Sequence, residues 1–188
     1  TTKNKFTEIQ QSLTAKNFDQ IKNQLDDLNN QKQIIQKKYI GLKIVGSLPY
    51  FNRYYRDGQH ALNIFQEGLE TGKIIVQAIE PYKDFLGLQG VATDSAQTTQ
   101  DRITFLTESI EGIVPHLSTI ENKLSQIEKE LDQIDPNRYP EEFHGLKIKS
   151  NLLKAKEGLS EAIKLLKNGQ PILSQASWFL GKDSPRNY

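Results

Sequence analysis

The sequence predicts an all-α protein, an elongated antiparallel helical bundle with coiled-coil-like seams. Three observations predict it. Ten positions from Ile103 to Ile134 (Ile103, Leu106, Ile110, Ile113, Leu117, Ile120, Leu124, Ile127, Leu131 and Ile134) are all Ile or Leu and alternate in steps of three and four. That is the repeat of a helix showing one narrow apolar stripe to its partners. The same rhythm recurs earlier and later in the chain, and the breaks between the stretches fall where Gly and Pro cluster.

The elements follow in order. Thr2 to about Thr14 places Phe6, Ile9 and Leu13 on one face of a short helix. Asn17 then reads as an N-cap ahead of Phe18 and Asp19, with the acid in the first turn as the helix dipole favours. A second helix carries Phe18, Ile21, Leu25, Leu28, Ile35, Tyr39 and Leu42, and only Lys32 interrupts the stripe. A lysine is tolerated there if its stem packs and its ammonium reaches water. Gly41, Gly46 and the Ser47-Leu48-Pro49 step end this helix, because proline disfavours helical geometry in the residue before it. The turn is expected at about 46–51.

A third helix is expected from Asn52 to about Leu86, with Leu62, Phe65, Leu69, Val76 and Ile79 inward. Gly58, Gly68 and Gly72 lie on or beside that face, each costing up to about 1 kcal/mol against alanine, so close packing is the expected reason for them. Gly68 and Gly72 have the spacing of a membrane dimerisation motif, in surroundings too polar for a span. Pro81 should kink or end the helix near Glu80, and Gly87, Gly90 and the run to Ser95 form a loop. Pro115 interrupts the long helix at the position opposite its seam, where a bend removes no core side chain.

Asp135-Pro136-Asn137-Arg138-Tyr139-Pro140 is the strongest turn signal. A final helix then repeats the pattern at Ile148, Leu152, Ala155, Leu159, Ala162 and Leu166, continuing in phase through Leu173, Ala176 and Leu180. Gly169 and Pro171 should bend it without ending it. From Gly145 to Asn168 there are six lysines and two glutamates, whereas from Asp101 to Asp135 there are eight acids and three basic residues. Antiparallel pairing of these helices therefore matches opposite charges. The expected core is Leu25, Leu28, Ile35, Leu62, Phe65, Ile79, Leu106, Ile110, Leu117, Ile120, Leu124, Leu152, Leu159 and Leu166. Residues 1–180 form one helical-bundle domain in this reading, and 181–188 a linker into a following domain.

Composition narrows the function classes. The 188 residues suffice for a core without staples, and hydrophobic residues make up 36% of them. With a net charge of +1, nothing global recruits the chain to nucleic acid or to an acidic membrane surface. There is no cysteine, which excludes disulfides, thiolate metal sites and cysteine nucleophiles. No run of about 18 apolar residues occurs, so any membrane attachment would come through a span outside these residues.

Candidate chemistry is sparse. Asp57-Gly58-Gln59-His60 and Glu141-Glu142-Phe143-His144 have the acid-x-x-His spacing that forms half of a di-iron site, but inward glutamates on two further helices are lacking. His116, beside Pro115, reads as a solvated histidine. No G-x-S-x-G elbow exists, and Gly87 and Gly90 lack the strand and lysine of a phosphate loop. Arg53, Tyr54, Tyr55 and Arg56 alternate basic and aromatic groups, a pattern that can bind nucleic acid but at a helix start more often packs on a bundle end. Trp178 and Phe179 are expected to cover the bundle end or meet a following domain. No catalytic, cofactor-binding or metal residue is assigned, no cofactor and no small-molecule ligand is identified, and the chain is read as a non-enzyme with a protein partner, itself or another.

The end of the chain, from Pro171-Ile172-Leu173-Ser174 through Phe179-Leu180-Gly181 to Ser184-Pro185-Arg186-Asn187-Tyr188, resembles the segment leading into the main domain of the bacterial domain-of-unknown-function family 4012. Lys16-Asn17-Phe18-Asp19 and the Gly46-Ser47-Leu48-Pro49 break are similar as well. The resemblance implies a helical region that follows a single membrane span and precedes a mixed domain. It places the module on the outer side of the cytoplasmic membrane, as a stalk or interaction module of a membrane-anchored cell-envelope protein. A ligand-sensing extracytoplasmic bundle is the alternative, and it would need a pocket between helices, most readily on the glycine-lined third helix.

Overall fold

The computed structural model describes residues 18–83 and 99–176. Among them the protein is all-α, with four long helices: α1 (Phe18–Ile40), α3 (Asn52–Ile79), α4 (Thr99–Asp132) and α5 (Ile148–Ser174). A four-residue helix α2 (Lys43–Gly46) lies in the first connection, and 3₁₀ turns Glu80–Tyr82 and Pro136–Arg138 lie in later ones. The short segment around Phe6, Ile9 and Leu13, the Asn17 cap, the Gly87 to Ser95 loop, Trp178, Phe179 and Leu180 fall outside the described residues.

The breaks follow the predicted punctuation. Helix α1 stops at Ile40, just before Gly41, and Pro81 ends α3 at Ile79 in a 3₁₀ turn, ahead of the expected Leu86. Asp135 accepts the backbone N–H of Asn137 at 2.9 Å, and Pro136 occupies the start of the next turn. Pro115 and Pro171 both sit inside their helices.

Consecutive long helices pair antiparallel. Tyr39 meets Tyr55 and Leu25 meets Gly72, joining α1 to α3. On α3 and α4, His60 meets Glu130 and Glu67 meets Lys123. Lys156 pairs with Asp132 on α5 and α4, and so, in a separate part of the same two helices, does Lys167 with Glu121. The charge asymmetry of those two helices is realised in both pairs, each with a lysine of α5 on an acid of α4. Exposed pairs of this kind select orientation more than they stabilise.

The described residues divide into two compact units, each built from parts of all four long helices. One holds Asp26–Thr71 and Asn122–Lys164; the other holds 18–25, 72–83, 99–121 and 165–176. Leu28, Leu69, Ile127, Leu131, Ile134 and Ile163 are buried in the first, and Phe18, Val76, Ala78, Leu117 and Ile120 in the second.

Three predicted details are corrected. Leu106 is 46% exposed, while Thr107 and Ser109 are buried. Ahead of Pro115 the inward face of α4 is thus rotated off the Ile/Leu stripe, because Tyr82 and its ring contact with Phe105 occupy that side and Tyr82 Oη donates to Glu108 O at 3.1 Å. Ile35 is partly exposed where α1 nears its end. In α5 Leu152, Leu159, Ala162 and Leu166 are half-buried as expected, but the buried residue is Ile163, outside the predicted line, and Ala155 faces solvent. Lysine stems cover apolar surface while their ammonium groups reach Glu141 and Asp132.

The helical glycines divide in the same way. A Cβ on Gly58 would strike the Tyr39 ring, and one on Gly72 would sit 3.1 Å from Leu25. Gly68 has open space around it, so close packing explains two of the three. Lys32 behaves as expected, half-buried with Nζ donating to Gln66 Oε1 at 2.9 Å.

Candidate functional site

The first two turns of α3 and the turn after α4 build a polar cluster within one unit. Asp57, only 3% exposed, is its centre. The Arg138 guanidinium donates from Nη1 to both carboxylate oxygens, at 2.6 Å to Oδ2, and Tyr139 Oη donates to Oδ2 at 2.8 Å. A buried carboxylate needs such a set, since an unpaired one would be very costly. The Asp135-Pro136-Asn137 cap shapes the turn that carries Arg138 and Tyr139, and Tyr54 packs edge-on against Tyr139. Burial first, and the bond to Asp57 second, push the Tyr139 hydroxyl well above the ordinary tyrosine range; the Asp57 bond raises Arg138.

One turn along α3, His60 Nδ1 lies 2.6 Å from Glu130 Oε2, and Asn63 Nδ2 donates to Glu130 Oε1 at 3.1 Å. Lys123 donates to Glu67 at 2.9 Å and to Glu70 at 2.5 Å. That bond holds Glu70 below the usual carboxylate range and raises Lys123. Beside the cluster Tyr39 and Tyr55 stack at 4.9 Å, and Tyr39 Oη donates to Tyr55 O. Gly46 and Gly58 make that stack possible, because a Cβ at either would meet a tyrosine ring.

Two recesses open here. The smaller, about 140 Å³, is lined by Arg53, Arg56, Asp57, His60, Gln133 and Arg138. The larger, about 390 Å³, lies over Tyr39, Tyr55, His60 and Asn63. The smaller brings three guanidinium groups and an imidazole to one place, and Asp57 compensates one of them. Arg53 and Arg56 form no ion pair with a described residue. Such a recess can hold an oxyanion, since guanidinium donors match its geometry.

Asp57 and His60 do share a face of α3, but each is engaged by protein groups. The Glu141 to His144 piece is not helical: Phe143 and Leu146 bridge across a tight turn in which His144 (φ 47) and Gly145 (φ 75) take left-handed backbone. Among the described residues no group of three or more His, Cys, Asp or Glu side chains could hold a metal ion. His116 is half-buried, less solvated than expected. Of the Arg53 to Arg56 quartet, the arginines line the recess and the tyrosines pack.

The sequence assigns no site residue, yet this cluster joins distant parts of the chain. Arg138 and Tyr139 lie 81 and 82 residues from Asp57. A second missed signal was local: from Leu28 to Arg56 the chain has six basic residues and no acid. Compared with known proteins, the chain matches no family model, no curated protein and no solved structure.

Proposed function

We propose that this chain is a non-catalytic helical scaffold or interaction module, a stalk in a bacterial cell-envelope protein on the outer side of the cytoplasmic membrane. The observation that carries the scaffold reading is the charge matching of α4 and α5, repeated in each unit. Helix α4 alone has 34 residues, about 50 Å of helix, a length suited to spacing. The location rests on the family resemblance. Protease accessibility of the full-length protein in intact spheroplasts tests it: digestion of this region from outside is expected, and protection alongside cytoplasmic markers would overturn the placement.

A second reading, a ligand-sensing bundle, is favoured by the arginine-lined recess. A ligand that binds the folded state alone raises its melting temperature. A metabolite library read by thermal shift is expected to show small anions above neutral compounds. Hits independent of Arg53 and Arg56 would contradict this reading.

A further inference from the structure

The exposed apolar side chains are concentrated in the connection between α1 and α3. Ile40, Leu42, Ile44, Leu48, Tyr50 and Phe51 all face solvent, and Ile44 and Tyr50 are each 82% exposed. Single exposed apolar residues are ordinary, but six within twelve positions are dense enough to call for a partner. Tyr54 beyond them is also exposed.

The charge of the same region is one-sided. Lys37, Lys38, Lys43, Arg53 and Arg56 belong to the acid-free stretch, and none pairs with a described acid. Arg53 and Arg56 enter the recess whose third arginine is already held by Asp57. A free oxyanion there would compensate the arginines and leave the apolar rim in water. An uncharged apolar partner would cover the rim and leave the cations uncompensated. An anionic phospholipid surface supplies both, with a phosphate layer above a hydrocarbon layer. Amphipathic tyrosines and long basic side chains suit that boundary.

We propose that the α1–α3 connection docks on an anionic phospholipid surface, with its apolar side chains entering the headgroup–acyl boundary and the arginine-lined recess taking a headgroup phosphate. This goes beyond the scaffold reading. It assigns the module a lipid contact of its own, independent of any span elsewhere.

The test is co-sedimentation of the whole 188-residue chain with phosphatidylcholine vesicles, with and without phosphatidylglycerol. Binding is expected only with the anionic lipid and should weaken as salt rises. Each lysine removed, Lys38→Ala or Lys43→Ala, should lower the partition coefficient about fivefold. Tyr50→Ser with Phe51→Ser should lower it further, and Arg53→Gln with Arg56→Gln should weaken the preference for anionic lipid more than either single lysine variant does. All these side chains are exposed, so the variants should keep the wild-type circular dichroism melt. Equal binding to both vesicle types would overturn the proposal. So would a melting temperature raised by inorganic phosphate through Arg53 and Arg56 without vesicle binding, which would assign the recess to a free oxyanion. Self-association lost in the Tyr50/Phe51 variant, again without vesicle binding, would assign the patch to a second copy of the chain and overturn it equally.

Discussion

In the unit formed by Asp26–Thr71 and Asn122–Lys164 the buried polar groups are satisfied: Asp57 has Arg138 and Tyr139, and Thr71 Oγ1 donates to Glu67 O at 2.7 Å. In the other unit Gln24, Thr107 and Ser109 are buried, and although Thr107 donates to Ile103 O, Gln24 Oε1 and Ser109 Oγ find no partner among the described residues. A buried polar group costs free energy in proportion to what it leaves unmade. The difference teaches where each unit derives its specificity. One is defined by a polar network that few other packings could satisfy, while the other buries Gln24 Oε1 and Ser109 Oγ without such a network.

The largest effects should come from the apolar cores. Among the described residues Leu28 is the most deeply buried large side chain, at 2% exposure, and Leu28→Ala should cost about 3–5 kcal/mol in urea unfolding. Leu117→Ala should cost about 2–5 kcal/mol, whereas Leu106→Ala, half exposed, should cost under about 1 kcal/mol. Equal costs would restore the unrotated stripe ahead of Pro115. The comparison of units is sharpened by Gln24→Leu and Ser109→Ala, each expected to stabilise by up to about 1 kcal/mol, since removing an unsatisfied group removes its penalty. Destabilisation by both would break the contrast.

The smallest effects concern pH. Burial raises Tyr139 and Tyr39 above their ordinary value of 10.0, so folding favours the neutral phenol. Their contribution is complete below pH 10 and is lost as pH climbs from there towards the raised values. Stability should fall on that alkaline limb, and Tyr139→Phe should flatten it. Glu70 is shifted the other way by Lys123: its contribution is present above the ordinary glutamate value and lost as pH falls through the depressed one. Glu70 is almost half exposed, so Lys123→Met should remove only a few tenths of a kcal/mol from the acid limb.

Much of the fold was legible in the sequence because helical periodicity and Gly/Pro punctuation act locally. The Pro81 stop, the Asp135 to Pro140 turn and the Leu117 to Ile134 seam could all be read within a few residues of themselves. The rotation at Leu106 was not legible, since it depends on Tyr82 from another element, and nor were the burial of Ile163 and the exposure of Ala155 in α5, where lysine stems supply part of the cover. The polar cluster was the least legible part. The Asp57 to His60 spacing pointed towards a metal, while Arg138, the actual partner, lay in a segment marked only as a turn.

The central claim is that the Asp57–Arg138 pair holds the unit carrying the recess in a single arrangement. A double-mutant cycle tests it most directly, with Arg138→Met, Asp57→Leu and the double variant compared by denaturant unfolding. Arg138→Met alone should cost about 3 kcal/mol, because it strands a carboxylate that is 3% exposed, while the double variant should recover most of that loss. Strictly additive losses, with no coupling between the two sites, would contradict the account.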